Sequence, residues 1–400
     1  MKHFIRFKKL AITLLSLAIL TTNGFTVYAN EKPDISSEAC VVIEGVTGKV
    51  IMEKNMDKEL IPASITKIMT LLIIFDNLES KKINLDDKVT VSEYAASMGG
   101  SQVYLEPGET QTVNDMIKCI SIASANDAAV AMAEHIAGNE QLFVNMMNER
   151  AQGLGMKHTH FMNCNGLDDS IESGHYTSAL DVAIMSRELI MKYPEISDYS
   201  TVWMDSITHT NSKGVTSEFG LTNTNKLIRS YNGITGLKTG STSKAKYCLS
   251  STARRDGLDI IAVVMAAPDH KTRFAEAKIL LDYGFANCKL YKDTHENFGC
   301  LQINVSGSLT NKIKVKPKNT FSHVFTENED LSLVKKKIII NKNIKAPIKT
   351  GDKVGRIDYI YNNSTIGSSN IISTENAPKA SVWDYLGALY NNYISFKYSL

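Results

Sequence analysis

The stretch KYCLSSTARRDGLDIIAVVM, residues 246–265, decides the fold class of this 400-residue chain. It consists of two β-rich runs that meet at Asp256-Gly257, a dipeptide typical of a tight β-hairpin turn. A second hairpin is predicted near the N-terminus, where short strands at 39–43 and 49–53 flank Val46-Thr-Gly48. Helical patterns fill the chain between the two hairpins. We therefore expect an α/β (α+β) domain whose antiparallel sheet takes strands from both ends of this segment.

Four helices are predicted between the hairpins, and a fifth follows the second hairpin. Their expected ranges are 65–78, 113–137, 140–154, 179–191 and 273–285. Beyond residue 290 the pattern changes, and runs such as NKIKVKPK at 311–318 alternate polar and apolar residues as half-exposed strands do. We therefore expect a first domain over 30–290 and a small β-rich domain over 296–376.

The first 29 residues are predicted to be a signal peptide. Four basic residues within the first nine precede an apolar run at 10–20, and Val27-Tyr28-Ala29 ends in the small-x-small pattern of a cleavage site. As a helix this run is about 16 Å long, too short for a hydrocarbon core about 30 Å thick. We therefore expect an exported chain whose mature form begins near Asn30.

The composition, with 43% hydrophobic and 22% charged residues, is that of a globular protein. The net charge of +2 conceals a basic region, because residues 300–356 contain twelve Lys or Arg against four Asp or Glu. Such an excess usually forms a solvated face, and less often a surface that meets an anionic membrane or wall polymer. The six cysteines lack Cys-x-x-Cys spacing and are interpreted as mostly buried apolar residues. We expect no metal, no other cofactor and no nucleic-acid partner.

The stretch PASITKIMTLLIIF, residues 62–75, carries the first candidate catalytic pair. Pro62 suits the first turn of a helix, and Ser64 and Lys67 are three residues apart, on one helical face. A lysine that is desolvated near another cation has a pKa lowered from about 10.4 towards neutrality, and it can then take the proton of a serine hydroxyl. A capping serine beside a snorkelling lysine explains this stretch, taken alone, equally well.

The stretch ISIASANDAAVAMAE, residues 120–134, sets polar residues among apolar ones. The hydroxyl of Ser124 can relay a proton, and the amide of Asn126 can hold both a lysine and a substrate carbonyl. Ser, Asn and Asp127 are also ordinary helix caps, and that alternative stays open.

The tripeptide Lys-Thr-Gly occurs twice. Lys238-Thr239-Gly240 is predicted to open a strand, where glycine lets a ligand approach the backbone and where the lysine and threonine offer a cation and a hydroxyl to a carboxylate. Lys349-Thr-Gly351 precedes Asp352 between two exposed strands and is predicted to be a turn. Of the two copies, the first is the candidate for chemistry.

With these three elements in this order, the chain resembles the low-molecular-mass penicillin-binding proteins, specifically the serine-type D-alanyl-D-alanine carboxypeptidases. The likeness extends to PASITKIMT, SANDAAVAMAE, NCNGLDDSIESGHYTSALDVA, TNTNKL and GLKTGSTSKAKYCL, and it covers about residues 37–285. The β-rich region resembles the family's C-terminal domain. The resemblance implies a β-lactamase/transpeptidase-like domain, with an antiparallel sheet and a helical subdomain, followed by a small all-β domain.

The resemblance also implies the site residues. The catalytic residues are Ser64, Lys67 and Ser124, and the substrate-binding residues are Asn126, Lys238, Thr239, Gly240, Ser241 and Arg273. Ser64 is the acylated nucleophile, Lys67 its base and Ser124 the proton relay. Asn126 holds the substrate amide and orients Lys67.

The remaining residues bind the end of the substrate. Lys238 and Thr239 receive the terminal carboxylate, and the backbone N–H groups of Ser64 and Ser241 form the oxyanion hole. Arg273 matches a family arginine near the carboxylate site.

The activity implied is removal of the terminal D-alanine from peptidoglycan stem pentapeptides through a serine acyl-enzyme, with β-lactams as covalent inhibitors. A class A β-lactamase uses the same three motifs, but it also needs a Glu-x-x-Leu-Asn carboxylate, which does not occur between residues 126 and 238. A non-catalytic penicillin-binding or wall-binding protein is the other alternative. Because all three motifs are intact, we favour the enzyme.

The tail SVWDYLGALYNNYISFKYSL, residues 381–400, has only Asp384 and Lys397 as charged residues. Its apolar and aromatic residues fall on one helical face, and Asn391-Asn392 argues against a span. We therefore expect an amphipathic helix over 380–400 that lies at a membrane surface and holds the enzyme at the outer face of the cytoplasmic membrane, towards the cell wall. Docking of the helix against the β-rich domain is the alternative.

Overall fold

A computed structural model of the chain describes residues 32–397 apart from 170–171, 211–213, 297 and 328. The predicted signal peptide lies outside these residues. The chain divides into two compact units, the first built mainly from 52–251 and 262–283, and the second mainly from 284–400. The tips of two hairpins, 43–51 and 252–261, are grouped with the second unit.

The two predicted hairpins contribute to one five-stranded sheet. The strands described before residue 284 are β1 (Ala39–Glu44), β2 (Val50–Lys54), β3 (Lys88–Thr90), β4 (Thr110–Thr112), β5 (Met204–Thr210), β6 (Thr216–Thr222), β7 (Ile234–Thr242), β8 (Lys246–Arg255) and β9 (Leu258–Ala267). The sheet has the order β2-β1-β9-β8-β7, which confirms a sheet assembled from both ends of the segment. Its middle strand, β9, is buried along its whole length, and β7 lies at an edge.

The pairs β3–β4 and β5–β6 form small two-stranded antiparallel sheets that the sequence did not predict. In β5 and β6, exposed residues such as Thr208, Thr210, Thr216 and Glu218 occupy most positions. Because these strands bury few side chains, they lack the apolar alternation by which a strand is recognised.

Helices cover the sheet and form the rest of the first unit. They are α1 (Lys67–Glu79), α2 (Glu93–Ala96), α3 (Val113–Lys118), α4 (Asn126–Ala137), α5 (Glu140–Gly153), α6 (Ala179–Lys192), α7 (Ser197–Ser200) and α8 (His270–Asn287). Ten of the 13 residues of α1 are buried, as its apolar sequence predicts. Asn139 and Ser178 cap α5 and α6 through their side-chain oxygens, which fixes two predicted helix starts.

The prediction of a single helix over 113–137 is wrong. A π-helical turn, Cys119–Ala123, follows α3, and Ser124 then adopts a left-handed conformation with φ 62° and ψ 31°. The backbone N–H of Asn126 donates to Ser101 O at 2.7 Å instead of to a helical carbonyl. Apolar residues continue at helical spacing through this break, so periodicity alone could not reveal it.

The second unit is rich in β-structure, as predicted. Its elements are β10 (Lys289–Asp293), β11 (Leu301–Asn304), β12 (Lys312–Pro317), β13 (Phe321–Phe325), β14 (Lys335–Ile340), β15 (Lys353–Tyr361), β16 (Ser364–Ser373) and the C-terminal helix α9 (Val382–Lys397). Five strands form a sheet of order β11-β12-β16-β15-β14, and β10 pairs with β13. The core includes Ile313, Ile357 and Tyr359. The ring of Tyr359 stacks on that of Phe321, with ring centroids 3.7 Å apart.

The C-terminal helix exposes large apolar side chains. Val382, Trp383, Leu389 and Tyr390 are each more than 60% exposed. Within the described part of the chain, no helix is both long enough and apolar enough to traverse a bilayer.

Candidate active site

Ser64 lies in the 3₁₀ turn Ala63–Thr66, directly before α1. It is half-buried, whereas Ala63, Ile65 and Thr66 are buried. Ala63 has φ +50°, in the left-handed region that residues with a Cβ seldom adopt. The hydroxyl of Thr66 donates to the Ala63 carbonyl at 2.8 Å, which holds this strained residue in place. The turn therefore presents the serine hydroxyl at the end of a rigid, buried helix.

His175 supports the same turn, and the sequence did not predict this role. Its Nδ1 accepts the backbone N–H of Met162 at 2.9 Å, so the proton of the neutral ring lies on Nε2. Nε2 lies 2.9 Å from the Thr66 hydroxyl oxygen, to which it donates. Burial lowers the pKa of His175 to about 4, so the ring is neutral at pH 7. A hydrogen-bonded path thus leads from Met162 through His175 and Thr66 to Ala63.

Lys67 is the first residue of α1 and is fully buried. Its Nζ lies 3.0 Å from Ser64 Oγ, 2.5 Å from Asn126 Oδ1 and 2.7 Å from the carbonyl oxygen of Asn165. Burial lowers its pKa to about 7, although the charge of Asp127 acts in the opposite direction. The amine is therefore available as a base close to neutral pH.

The break between α3 and α4 positions Ser124 and Asn126, both of which are buried. The left-handed conformation of Ser124 aims its hydroxyl at β7, where Oγ accepts a hydrogen bond from Lys238 Nζ at 2.7 Å. The side chain of Asn126 donates to Gly99 O at 2.7 Å, which fixes the amide so that its oxygen faces Lys67. The three sequence motifs are thus in direct hydrogen-bond contact.

Lys238 lies in the interior of β7, so the prediction that its tripeptide opens a strand is wrong. The strand begins at Ile234, and four residues precede the lysine. Lys238 is buried, and its Nζ also donates to Thr239 O at 3.1 Å. Burial and the positive charges of Lys67 and Arg273 lower the pKa of Lys238 well below its ordinary value. An anion arriving here would meet three buried basic side chains, those of Lys238, Lys67 and Arg273.

The end of β7 packs against the Ser64 turn. A Cβ on Gly240 would lie 3.0 Å from the backbone nitrogen of Ser64, a separation that leaves no room for a side chain. Thr239 is buried, and its hydroxyl donates to Thr224 Oγ1 at 2.7 Å. Ser241 follows at the surface. Glycine is needed at 240 so that the backbone of β7 can reach the serine.

Gly166 also packs tightly against the Ser64 turn. It has φ +82°, and a Cβ there would overlap the carbonyl group of Ala63. Its neighbour Asn165 supplies the carbonyl that accepts from Lys67. Gly166, Asn165 and His175 all belong to NCNGLDDSIESGHYTSALDVA, a stretch that supported the resemblance but was given no role in the predicted site.

Arg273 lies in α8 and bonds to the backbones of both β7 and β8. Its guanidinium donates to Gly240 O at 3.2 Å and to Cys248 O at 3.3 Å, and it lies over the rings of Phe274 and Tyr247. Its buried Nε has no hydrogen-bond partner among the described residues. Burial lowers the pKa of Arg273 to about 10, so it stays charged at pH 7. The arginine thus supports the end of β7 through a hydrogen bond to its backbone.

The second Lys-Thr-Gly copy is a turn, as predicted. Its lysine, Lys349, is exposed, and the chain reverses where Asp352 N donates to Lys349 O at 3.0 Å. The side chain of Asp352 accepts the Lys349 N–H at 2.7 Å. Five of the six cysteines are buried, also as predicted, and all six are free thiols. Among the described residues, no group of three or more His, Cys, Asp or Glu could hold a metal ion.

Comparisons with known proteins agree with one another. Residues 26–269 match the family described as D-alanyl-D-alanine carboxypeptidase, and residues 288–379 match the C-terminal domain of penicillin-binding protein 5. The chain is 39% identical to D-alanyl-D-alanine carboxypeptidase DacF of Bacillus subtilis (strain 168), over 98% of this chain and 100% of that protein. It is 30% identical to D-alanyl-D-alanine carboxypeptidase DacC of Escherichia coli (strain K12), over 89% of each. The solved structure of penicillin-binding protein 5 from Haemophilus influenzae aligns with a TM-score of 0.64 and 29% identity, over 88% of this chain and 100% of that one.

Proposed function

Because this chain belongs to the D-alanyl-D-alanine carboxypeptidases, a family of serine hydrolases, we propose that Ser64 is the nucleophile of the reaction. The family acts on peptidoglycan peptides that end in D-Ala-D-Ala and binds β-lactams. The observation that carries the proposal is the 3.0 Å separation of Ser64 Oγ from the Nζ of a buried lysine, Lys67. A serine hydroxyl becomes a good nucleophile when such a base is in hydrogen-bond reach.

In the acylation step, neutral Lys67 takes the proton of Ser64 while Oγ attacks the carbonyl carbon of the penultimate D-alanine. The peptide C–N bond then breaks. The departing amino group receives a proton from Lys67 through the hydroxyl of Ser124, and free D-alanine leaves. Water next attacks the ester, with Lys67 again as base, and this releases the shortened peptide and restores Ser64.

The negative charge on the carbonyl oxygen is stabilised by the backbone N–H groups of Ser64 and Ser241. The tight packing of Gly240 against the Ser64 turn supports this role, because it brings the backbone next to Ser241 close to the backbone of Ser64. Fixed backbone donors that point to the developing oxyanion are worth about 3–4 kcal/mol each in such sites.

The carboxylate of the substrate is received by Lys238 and Thr239. An incoming anion raises the pKa of Lys238, so the ammonium form that binds it is favoured by the substrate itself. Arg273 adds a positive charge that acts on Lys238, and it keeps β7 in place through a hydrogen bond to the Gly240 carbonyl. As an edge strand, β7 can also pair with an extended substrate peptide.

The enzyme is exported by a signal peptide at 1–29 and acts outside the cytoplasmic membrane. Its catalytic domain spans 30–290 and its β-rich domain 296–376. The amphipathic helix at 380–400 lies in the membrane surface, a role supported by the exposed Trp383 and its apolar neighbours.

Release of D-alanine tests the proposed function. Purified mature protein is incubated with a diacetylated tripeptide ending in D-Ala-D-Ala, and free D-alanine is measured over time. Turnover that disappears in Ser64→Ala supports the assignment. Binding of penicillin without any release of D-alanine would instead indicate a non-catalytic penicillin-binding protein.

A further inference from the structure

The sheet of the second unit has one buried face and one open face. Ile313 and Val315 of β12 point into the core, together with Ile357 of β15 and Ile371 of β16. Residues between them along each strand point to the other side, because side chains alternate across a strand. This second side is exposed to solvent in every strand of the sheet.

Cations dominate this open side, which we call the basic face. Its cations are Lys312, Lys314, Lys316, Lys337, Lys353 and Arg356, and all six are exposed. The register brings them together across strands. Lys316 stands opposite Ile372, which stands opposite Lys353 on the next strand.

Two carboxylates oppose these charges, and both are engaged in ion pairs. Arg356 pairs with Asp358 at 2.8 Å, and Lys314 pairs with Glu375 at 3.3 Å. Lys312, Lys316, Lys337 and Lys353 form no ion pair with any described residue. On an edge strand, protection against aggregation is enough to explain exposed lysines. However, β12 and β15 are interior strands. Edge protection can account for Lys337 on the edge strand β14, but not for the five other cations of this face, which lie on β12 and β15.

The charge of the whole chain is segregated in the same way. Residues 284–400 contain sixteen Lys or Arg against nine Asp or Glu, whereas residues 30–283 contain 24 against 33. The second unit is thus strongly positive, and the catalytic unit of the mature chain is strongly negative. An anionic surface attracts the second unit and repels the first, so this distribution favours one orientation of the enzyme.

We propose that the basic face binds the headgroups of anionic phospholipids and is a second membrane contact beside α9. This inference rests on the proposed membrane role of that helix. The face and the helix are close along the chain, because the pairing of β12 with β16 ends where Thr374 N donates to Lys314 O at 2.9 Å, and α9 begins eight residues later at Val382. The helix offers apolar side chains but almost no cations, whereas the face offers six exposed cations around partly buried isoleucines such as Ile372. Stable attachment to a membrane takes two such signals.

Vesicle sedimentation of the mature full-length chain tests the proposal, with vesicles of phosphatidylcholine alone or mixed with phosphatidylglycerol. The face variant carries Lys316→Gln, Lys337→Gln and Lys353→Gln. Each cation near an anionic surface contributes about a fivefold gain in binding, so this variant should bind the mixed vesicles about 100-fold more weakly. Its binding to phosphatidylcholine alone and its release of D-alanine from a soluble peptide should not change.

A matched variant controls for the loss of net charge. Lys82→Gln, Lys88→Gln and Lys157→Gln remove three exposed lysines from the first unit, and this variant should bind as the unchanged chain does. Equal binding of mixed vesicles by the face variant and this control would overturn the proposal. Tighter binding of soluble poly(glycerol phosphate) than of mixed vesicles, at equal phosphate, would also overturn it and would assign the face to a wall polymer.

A helix variant separates this proposal from the role of α9. Leu386→Ser with Leu389→Ser removes two exposed apolar side chains and should weaken binding to both kinds of vesicle. If only the helix anchors the enzyme, this variant loses binding and the face variant does not. If the helix has no membrane role, the helix variant keeps its binding to vesicles. Binding is then lost only by the face variant, and only on mixed vesicles.

Discussion

The Nζ atom of Lys67 lies 3.0 Å from the Oγ atom of Ser64, at the start of a helix in which most of the other side chains are buried. The separation follows from the sequence, because residues three apart share a helical face. The low pKa follows from packing, since a fully buried ammonium loses its hydration. Asn126 and Asn165 present oxygens to the same amine and hold it in position. The pair can therefore transfer a proton near pH 7.

The first prediction concerns pH. Neutral Lys67 is the base, so kcat/KM should rise as the pH increases through about 7 and should be lost on the acid side as the amine becomes protonated. A pH profile of D-alanine release measures this fall in kcat/KM, which is the acid limb of the profile. Asn126→Asp places a carboxylate next to the amine, which raises the pKa of Lys67 and should move the limb to higher pH. A limb that stays in place in that variant would mean that Lys67 is not the titrating group.

The second prediction compares the two Lys-Thr-Gly lysines. Lys238→Ala removes a buried partner of the substrate carboxylate and should cost about 2–5 kcal/mol in kcat/KM. Lys349→Ala changes an exposed turn and should stay within about 0.5 kcal/mol of the unchanged protein in stability, with full activity. Steady-state kinetics and urea unfolding of both variants measure these effects. Similar losses of activity in the two variants would show that the site has been misplaced.

The third prediction uses two glycines with similar φ angles. Gly166 has φ +82° and no space for a Cβ, whereas Gly155 has φ +76° and nothing within 4 Å. Gly155→Ala should cost about 1 kcal/mol of backbone strain. Gly166→Ala should cost at least about 2 kcal/mol more and should slow acylation, because the added methyl displaces Ala63 beside the nucleophile. Equal unfolding midpoints in urea for the two variants would contradict this packing argument.

The sequence predicts those parts of the site that depend on local spacing. The Ser64–Lys67 pair follows from helical geometry, and the difference between Lys238 and Lys349 follows from their flanking residues. The left-handed Ser124 could not be predicted, because apolar spacing continues through it. The hydrogen bond between Thr66 and His175 joins residues that are 109 positions apart in the sequence. Arg273 donates hydrogen bonds to carbonyls of two neighbouring strands. Such contacts depend on the packed fold and leave no periodic pattern in the sequence.

The fourth prediction concerns the C-terminal helix. A mature chain truncated after Pro378 lacks α9, whose described side chains are largely exposed, so it should keep its activity on soluble peptides. It should also move from the membrane fraction to the soluble fraction of cells at high salt, where the attraction between surface charges is screened. Fractionation of cells that express both lengths is the measurement. Truncated enzyme that still sediments with membranes at high salt would place the anchor elsewhere.

The most direct test of the account is the site of covalent labelling by penicillin. A β-lactam resembles the D-Ala-D-Ala end of the substrate, so Ser64 should open its ring and retain it as an ester. The tryptic peptide of residues 59–67, ELIPASITK, contains Ser64 as its single serine. We predict a penicillin adduct on this peptide in the mass spectrum, and no adduct in Ser64→Ala. An adduct on another peptide, or undiminished labelling of Ser64→Ala, would contradict the assignment of the nucleophile.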